Sequence, residues 1–180
     1  MTKQRYFFSD LDGTLIKEDM LFLSLKALLK ESPIKCFLVL LKFWRGLPWV
    51  KDKIATNIDF RKLDFSINKK VLSLIQQKKA EGYICILISG SNQNLVKEVF
   101  KRTNIFNNYF GSDNRVNLVG LNKLKKINQL SSDFEYIGNS KQDIAIWEHA
   151  DIAYVYNSSE KFNKRVVSLL PKHKKIKIVK

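Results

Sequence analysis

The chain has 180 residues, 32 Lys+Arg against 17 Asp+Glu, and a formal net charge of +15. A hydrophobic fraction of 45% with 12 Phe excludes a disordered chain, and only 7 Gly and 3 Pro exclude collagen-like or linker-rich organisation. The length suits one domain with room for an inserted subdomain, and two cysteines, Cys36 and Cys85, are too few for a disulfide framework and read as reduced packing residues.

Arg5–Asp10 is a short aromatic run ending in an acid, which predicts a buried strand. Residues 19–58 follow a helical period: Leu21, Leu25, Leu28 and Leu29 share one face, and Phe37, Leu40, Leu41 and Trp44 share another. Pro33 and the Gly46-Leu47-Pro48 stretch divide this block into two or three helices. A further helix is predicted over 66–81, closed by Gly82, then a strand over Tyr83–Ile88 and a helix over Ser91–Arg102. Beyond these come a helix near 120–130, a strand at Phe134–Ile137, a helix over 141–149, a strand at Ile152–Tyr156 and a helix over Ser158–Leu170. Ile176–Val179 reads either as a last strand or as a solvated tail.

Strands alternating with helices from residue 83 onward predict an α/β fold, a Rossmann-like parallel sheet with helices on both faces. The long helical block after the first strand exceeds a simple crossover and reads as an inserted helical cap. The expected division is a core from 1–15 and 81–180 and a cap over 16–80. Met1–Asp10 carries no apolar leader stretch, and no run reaches the roughly 20 apolar residues of a membrane-spanning helix. The expectation is a cytoplasmic protein, at most peripheral to a membrane.

The positive charge is unevenly placed. Residues 16–80 hold 14 basic and 6 acidic side chains and residues 161–180 hold 8 and none, whereas residues 81–160 hold 8 and 9. Nothing resembles a base-reading motif, so the tail lysines Lys172, Lys174, Lys175 and Lys177 would support only sequence-blind, salt-dependent nucleic-acid binding, and nucleic acid is not the expected partner. In the cap, Phe22, Phe37, Phe43, Trp44 and Trp49 lie among Lys26, Lys30, Lys35, Lys42, Arg45, Lys51 and Lys53. The plain expectation is that the apolar face packs on the core while the lysines face water. The other reading is an anionic membrane surface met by residues 34–53 and the basic tail, centred on Lys42 and Arg45 beside the tryptophans.

Three strand ends carry polar groups. Asp10-Leu11-Asp12-Gly13-Thr14 sets two carboxylates two residues apart just past a buried strand, where the crevice of a parallel sheet opens. Oxygen-only ligands there suit Mg²⁺. Ser89-Gly90-Ser91 ends the second strand with a hydroxyl and backbone N–H groups at a helix start, a phosphate-binding arrangement. Gly138-Asn139-Ser140-Lys141-Gln142-Asp143 ends a third. His149 and His173 have no metal-ligand partners at useful spacing.

With these motifs the sequence resembles the haloacid dehalogenase-like hydrolases over roughly residues 5–157. Asp10-x-Asp12-Gly13-Thr14-Leu15 looks like their first motif, Ser89-Gly90 their second and Gly138-Asn139-Ser140-x-x-Asp143 their fourth. Within the superfamily it looks most like the phosphatase-like domain associated with ubiquinone-type prenyltransferases, on the Leu- and Trp-rich helical block, Asn117-Leu118 and Ile146-Trp147. The resemblance implies a Mg²⁺-dependent phosphomonoester hydrolase acting on a phosphorylated small molecule or a polyprenyl-type lipid phosphate. Asp10 would be the nucleophile and Asp12 the general acid and base, with Lys123 as the catalytic cation. Thr14, Ser89 and Gly90 would bind the phosphoryl group, and Asp10, Asp12 through its backbone carbonyl, Asn139 and Asp143 would hold the metal. Two departures follow. Asn139 stands where the family usually has an acid, and Val119 where the related domains have a lysine, leaving Lys123 one helical turn on to serve. They motivate an alternative, a degenerate member that binds a phosphorylated ligand, membrane or protein without efficient turnover.

Overall fold

A computed structural model describes residues 4–156 and 159–179; residues 1–3, at the start of the Met1–Asp10 stretch, and Ser158, the expected first residue of the last helix, lie outside the described residues. The strands are β1 (Tyr6–Ser9), β2 (Ile84–Asn92), β3 (Asn108–Ser112), β4 (Phe134–Gly138), β5 (Ile152–Tyr156) and β6 (Lys175–Val179). They form one six-stranded sheet in the order β3-β2-β1-β4-β5-β6, and every adjacent pair is parallel. The helices are α1 (Met20–Glu31), α2 (Pro33–Leu40), α3 (Leu47–Ala55), α4 (Lys69–Ala80), α5 (Gln93–Thr103), α6 (Leu121–Asn128), α7 (Ile144–His149) and α8 (Glu160–Leu169).

The period of two along the buried strands builds both layers at once. Phe7, Cys85, Leu87 and Ile137 point to one face, where they pack with Val71 and Ile75 of α4 and Val96 and Val99 of α5. Their neighbours Phe8, Ile86, Ile88 and Tyr136 point to the other and meet Leu124 of α6, Ile146 and Trp147 of α7 and Val166 of α8. Strands covered on both sides read as unbroken apolar runs, which is the pattern of β1 and the first half of β2.

The helical block between β1 and β2 divides in two. Helix α4 packs on the sheet, whereas α1, α2 and α3 enclose their own small core of Leu28, Cys36, Val39, Val50 and Ile54. Asp19 caps α1 through a side-chain bond from the Phe22 N–H, and Pro33 opens α2, where its missing N–H costs nothing.

The sequence expectation for the cap aromatics needs correction. Phe22, Phe37, Phe43 and Trp44 are exposed, and so are Leu29, Leu40 and Leu41; only Trp49 among the five aromatics is half-buried. For α2 the reason is its rotation, which turns Cys36 and Val39 toward α1 and α3 and leaves Phe37 and Leu40 outside. Strand β3 was not anticipated, and β2 runs to Asn92, which caps α5, so that helix begins at Gln93 and not at Ser91. The C-terminal stretch is a paired strand: β6 joins β5, Lys174 Nζ donates to the Ala150 carbonyl, and the Lys177 ammonium lies 5.4 Å from the Tyr154 ring centre. Both cysteines are free and buried. Among the described residues no helix is long and apolar enough to cross a membrane.

Candidate active site

The carboxyl ends of β1, β2 and β4 open on a cavity of about 650 Å³, walled by Asp10, Asp12, Gly13, Gly90, Ser91, Val119, Lys123 and Asn139–Asp143, with Leu21, Leu47 and Lys51 supplied by the cap. Asp10 follows β1 directly, and its N–H donates to the Ile137 carbonyl at 2.9 Å, fixing the strand end against β4. Its side chain is met from two sides. Lys123 Nζ lies 2.7 Å from Oδ1 as both a hydrogen bond and an ion pair, and Thr14 Oγ1 donates to Oδ2 at 3.2 Å. Burial pushes the Asp10 carboxyl up to about 7; Lys123 opposes the rise, and Asp143 and Asp12 add to it.

Asp12 reaches the same cavity after the chain has turned, and Gly13 makes that turn at φ +67°, a left-handed conformation that favours glycine. Three donors hold the Asp12 carboxylate: Ser89 Oγ at 2.8 Å and Ser91 Oγ at 2.7 Å on Oδ2, and the Met20 N–H at 2.8 Å on Oδ1. Burial raises its pKa against those bonds. A carboxyl held above its ordinary value and fixed in direction can carry a proton out and back.

The β2 ladder with β3 is irregular between Ile88 and Asn92, and this bulge brings Ser89, Gly90 and Ser91 to the crevice. Gly90 has no room for a side chain: a Cβ would lie 2.5 Å from Val119 Cγ2. At the end of β4, Asp143 accepts from the Asn139 and Ser140 N–H groups and from Ser140 Oγ, all on Oδ2, and from the Tyr136 hydroxyl at 2.6 Å on Oδ1. Lys123 Nζ spans the gap, donating to the Tyr136 hydroxyl oxygen at 3.0 Å and lying 3.6 Å from Asp143 Oδ1. Burial would pull the Lys123 ammonium down; Asp10 and Asp143 outweigh it, and the group sits above its ordinary value. Asp10, Lys123, Tyr136 and Asp143 are thus one connected buried network.

The family model for the haloacid dehalogenase-like hydrolases matches residues 7–148. The chain belongs to the haloacid dehalogenase-like hydrolase family. It is 27% identical over 158 residues, 87% of its length, to the uncharacterized protein y4nM of Sinorhizobium fredii, of which it spans 31%. A structure from Bordetella pertussis, of unknown function, superimposes with a TM-score of 0.74 at 12% identity, covering 98% of this chain and 99% of that one. A phospho-aspartyl intermediate analogue of phosphoserine phosphatase superimposes with a TM-score of 0.62 at 14% identity, covering 99% and 95%. At such identities the likeness is one of fold.

Against the family motifs, the structure brings Asp10, Asp12, Gly90, Lys123, Asn139 and Asp143 to one cavity wall. Thr14 and Ser89 lie behind it, fully buried, with their hydroxyls given to Asp10 and Asp12. Lys125 and Lys126 do not line the cavity; Lys126 lies over the Phe110 ring.

Three contributors escaped the sequence reading. Ser91 was placed only at the helix start after Ser89-Gly90, with no role for its hydroxyl, although a second hydroxyl two residues after Ser89 was the available signal. Tyr136 precedes Gly138 by two, so the strand period places it on the same face. Packing shows why residue 138 is glycine: a Cβ there would lie 2.6 Å from Asp143 Cγ and 2.8 Å from Tyr136 Cε1. Lys51 gave no signal. It comes from α3 of the cap, and its Nζ donates to the Gly90 carbonyl at 2.7 Å and to Asn117 Oδ1 at 3.2 Å. Burial holds its pKa below the usual lysine value, with Asp12 and Asp19 opposing.

Proposed function

We propose that the chain is a Mg²⁺-dependent phosphomonoester hydrolase that works through an aspartyl-phosphate on Asp10. The observation that carries this reading is the pairing, on one cavity wall, of an Asp10 held by Lys123 with an Asp12 held by Ser89 and Ser91. The superposition on a phospho-aspartyl intermediate analogue of phosphoserine phosphatase supports it.

Asp10, the Asp12 carbonyl, Asn139 and Asp143 are all hard oxygen donors, and one or two carboxylates completed by water and substrate phosphate satisfy Mg²⁺. Two carboxylates and an amide therefore fit. Among the described residues no group of three or more His, Cys, Asp or Glu is placed to hold a metal. When bound, magnesium supplies the positive charge that lets one anion approach another.

The residues do the rest. An Asp10 oxygen attacks phosphorus as the ester P–O bond breaks, and the departing oxygen takes the proton of Asp12. Asp12, now ionised, removes a proton from water, whose oxygen attacks phosphorus and releases Asp10 and inorganic phosphate. Lys123 balances charge on Asp10 throughout. Thr14 and Ser89 fix the two carboxylates, while the Gly90–Ser91 segment on the cavity wall receives phosphoryl oxygens. The helical block, Asn117-Leu118 and Ile146-Trp147 support the prenyltransferase-associated subtype, and with it a lipid-linked phosphate alongside small phosphomonoesters.

Phosphate release from an aryl phosphate at millimolar Mg²⁺ tests the reading. Wild type is expected to turn over at about 1 per second or more, with activity lost in Asp10→Asn and in EDTA. A wild type with no release, or an Asp10→Asn variant that keeps it, overturns the proposal. Asn139 favours one second reading, ligand binding without turnover, for which wild-type activity is absent and Asn139→Asp restores it.

A further inference from the structure

The cap carries an apolar face that nothing in the fold covers. Ile34, Phe37, Leu38 and Leu41 recur at i, i+3, i+4 and i+7 and are all exposed, Ile34 at 74%. The chain then continues through a 3₁₀ turn at Phe43–Arg45 that displays Phe43 and, at 81% exposure, Trp44. The inward side of the same helix is already satisfied by Cys36 and Val39, so these side chains are not waiting for the cap's own core. An apolar face of this kind on a monomer marks a contact surface.

Charge decides what it contacts. From Ser32 through Lys51 the sequence has four basic residues, Lys35, Lys42, Arg45 and Lys51, and no acid. Lys35, Lys42 and Arg45 are exposed beside the apolar face, and the Arg45 guanidinium lies over the Trp49 ring at 4.9 Å. Two copies placed face to face would set these cations against each other with no carboxylate to pair. Aromatic and leucine side chains flanked by lysine and arginine suit the boundary between anionic headgroups and acyl chains. Leu47 belongs to the exposed surface and also to the cavity wall, so the face adjoins the site's mouth.

We propose that this face of the cap seats on an anionic lipid bilayer. Phe37, Leu41, Phe43 and Trp44 enter the headgroup–acyl boundary, and Lys35, Lys42 and Arg45 meet lipid phosphates and carboxylates. Docking does not depend on turnover at the site, so it stands or fails separately from the hydrolase reading.

Vesicle co-sedimentation of the full chain tests it, comparing phosphatidylcholine with phosphatidylcholine containing about 30% phosphatidylserine. Each basic residue near an anionic surface contributes about fivefold in partitioning, so three predict roughly 100-fold preference for the anionic vesicles at low salt. The preference shrinks as salt rises. Phe37→Ser with Trp44→Ser lowers binding at least tenfold, and Lys35→Glu with Lys42→Glu removes at least tenfold of the anionic preference. Thermal unfolding of both variants matches wild type, because every changed side chain is exposed. A wild type that ignores anionic vesicles at low salt, or a charge-reversed variant that keeps its preference, overturns the proposal. So does a dimer in light scattering that forms in place of vesicle binding and dissociates in Phe37→Ser with Trp44→Ser.

Discussion

Asp10 and Asp143 are both buried, and one cation, Lys123, stands between them at 2.7 and 3.6 Å. Removing one partner of such a pair leaves an uncompensated buried charge, which is costly. Asn139 shows the opposite economy: a neutral amide occupies a cavity-wall position where an acid would add a third negative charge to this cluster. Coulomb attraction between a cation and one further unit charge about 4 Å away amounts to about 1–4 kcal/mol between bulk water and a protein surface. Asn139→Asp is therefore expected to lower the Mg²⁺ concentration for half-maximal phosphate release about tenfold, measured by titration at fixed aryl phosphate. An unchanged Mg²⁺ requirement would place residue 139 outside the metal's reach. At this scale the sequence was informative where a motif names a side chain and silent where tertiary contact does. Asp10, Asp12 and Asp143 were legible from spacing, whereas Lys51 reaches Gly90 from 39 residues away and leaves no local trace.

Strand and helix identities were legible wherever burial imposes a period. The aromatic β1, the apolar start of β2 and the Leu-rich α1 follow from sequence because their faces meet the core. Strand β3 did not, because Asn108-Tyr109-Phe110-Gly111-Ser112 is an edge strand with only Ser112 fully buried and two residues of low strand propensity. The bulge in β2 was equally hidden, yet it is the element that delivers Ser89 and Ser91 to Asp12. Its geometry depends on Gly90 lying against Val119 and Leu118 of the loop that opens α6. Gly90→Ala is expected to force that loop outward, at about 1–3 kcal/mol for overpacking, lowering the unfolding temperature and the aryl phosphatase rate together. Gly90→Ala combined with Val119→Ala recovers most of both losses, because the colliding methyl is gone. Failure of the double variant to recover stability would assign the glycine a role other than this close approach.

Over the whole molecule, the charge of +15 is carried away from the cluster of Asp10, Asp12, Lys123 and Asp143, in the cap and at the C-terminal end. The C-terminal share is folded into β6 and its surroundings, where Lys174 and Lys177 are engaged with the neighbouring strand's end and Tyr154. The cap share lies beside exposed aromatics, and the rotation of α2 that turns Phe37 outward depends on packing among three helices rather than on any local pattern. Fold and site are joined at the same edge of the sheet: parallel strands end together, and the Asp10 and Asp12 carboxylates past β1 share one cavity with Lys123 of α6. The central claim is that phosphate passes through Asp10. Borohydride reduction during turnover of an aryl phosphate, followed by peptide mass spectrometry, reads this directly, because an acyl phosphate is reduced to the alcohol while a free carboxylate is not. The account predicts homoserine at position 10, dependent on substrate and Mg²⁺ and absent in Asp10→Asn. Turnover with an unmodified Asp10, or with the reduced residue elsewhere in the chain, would contradict it.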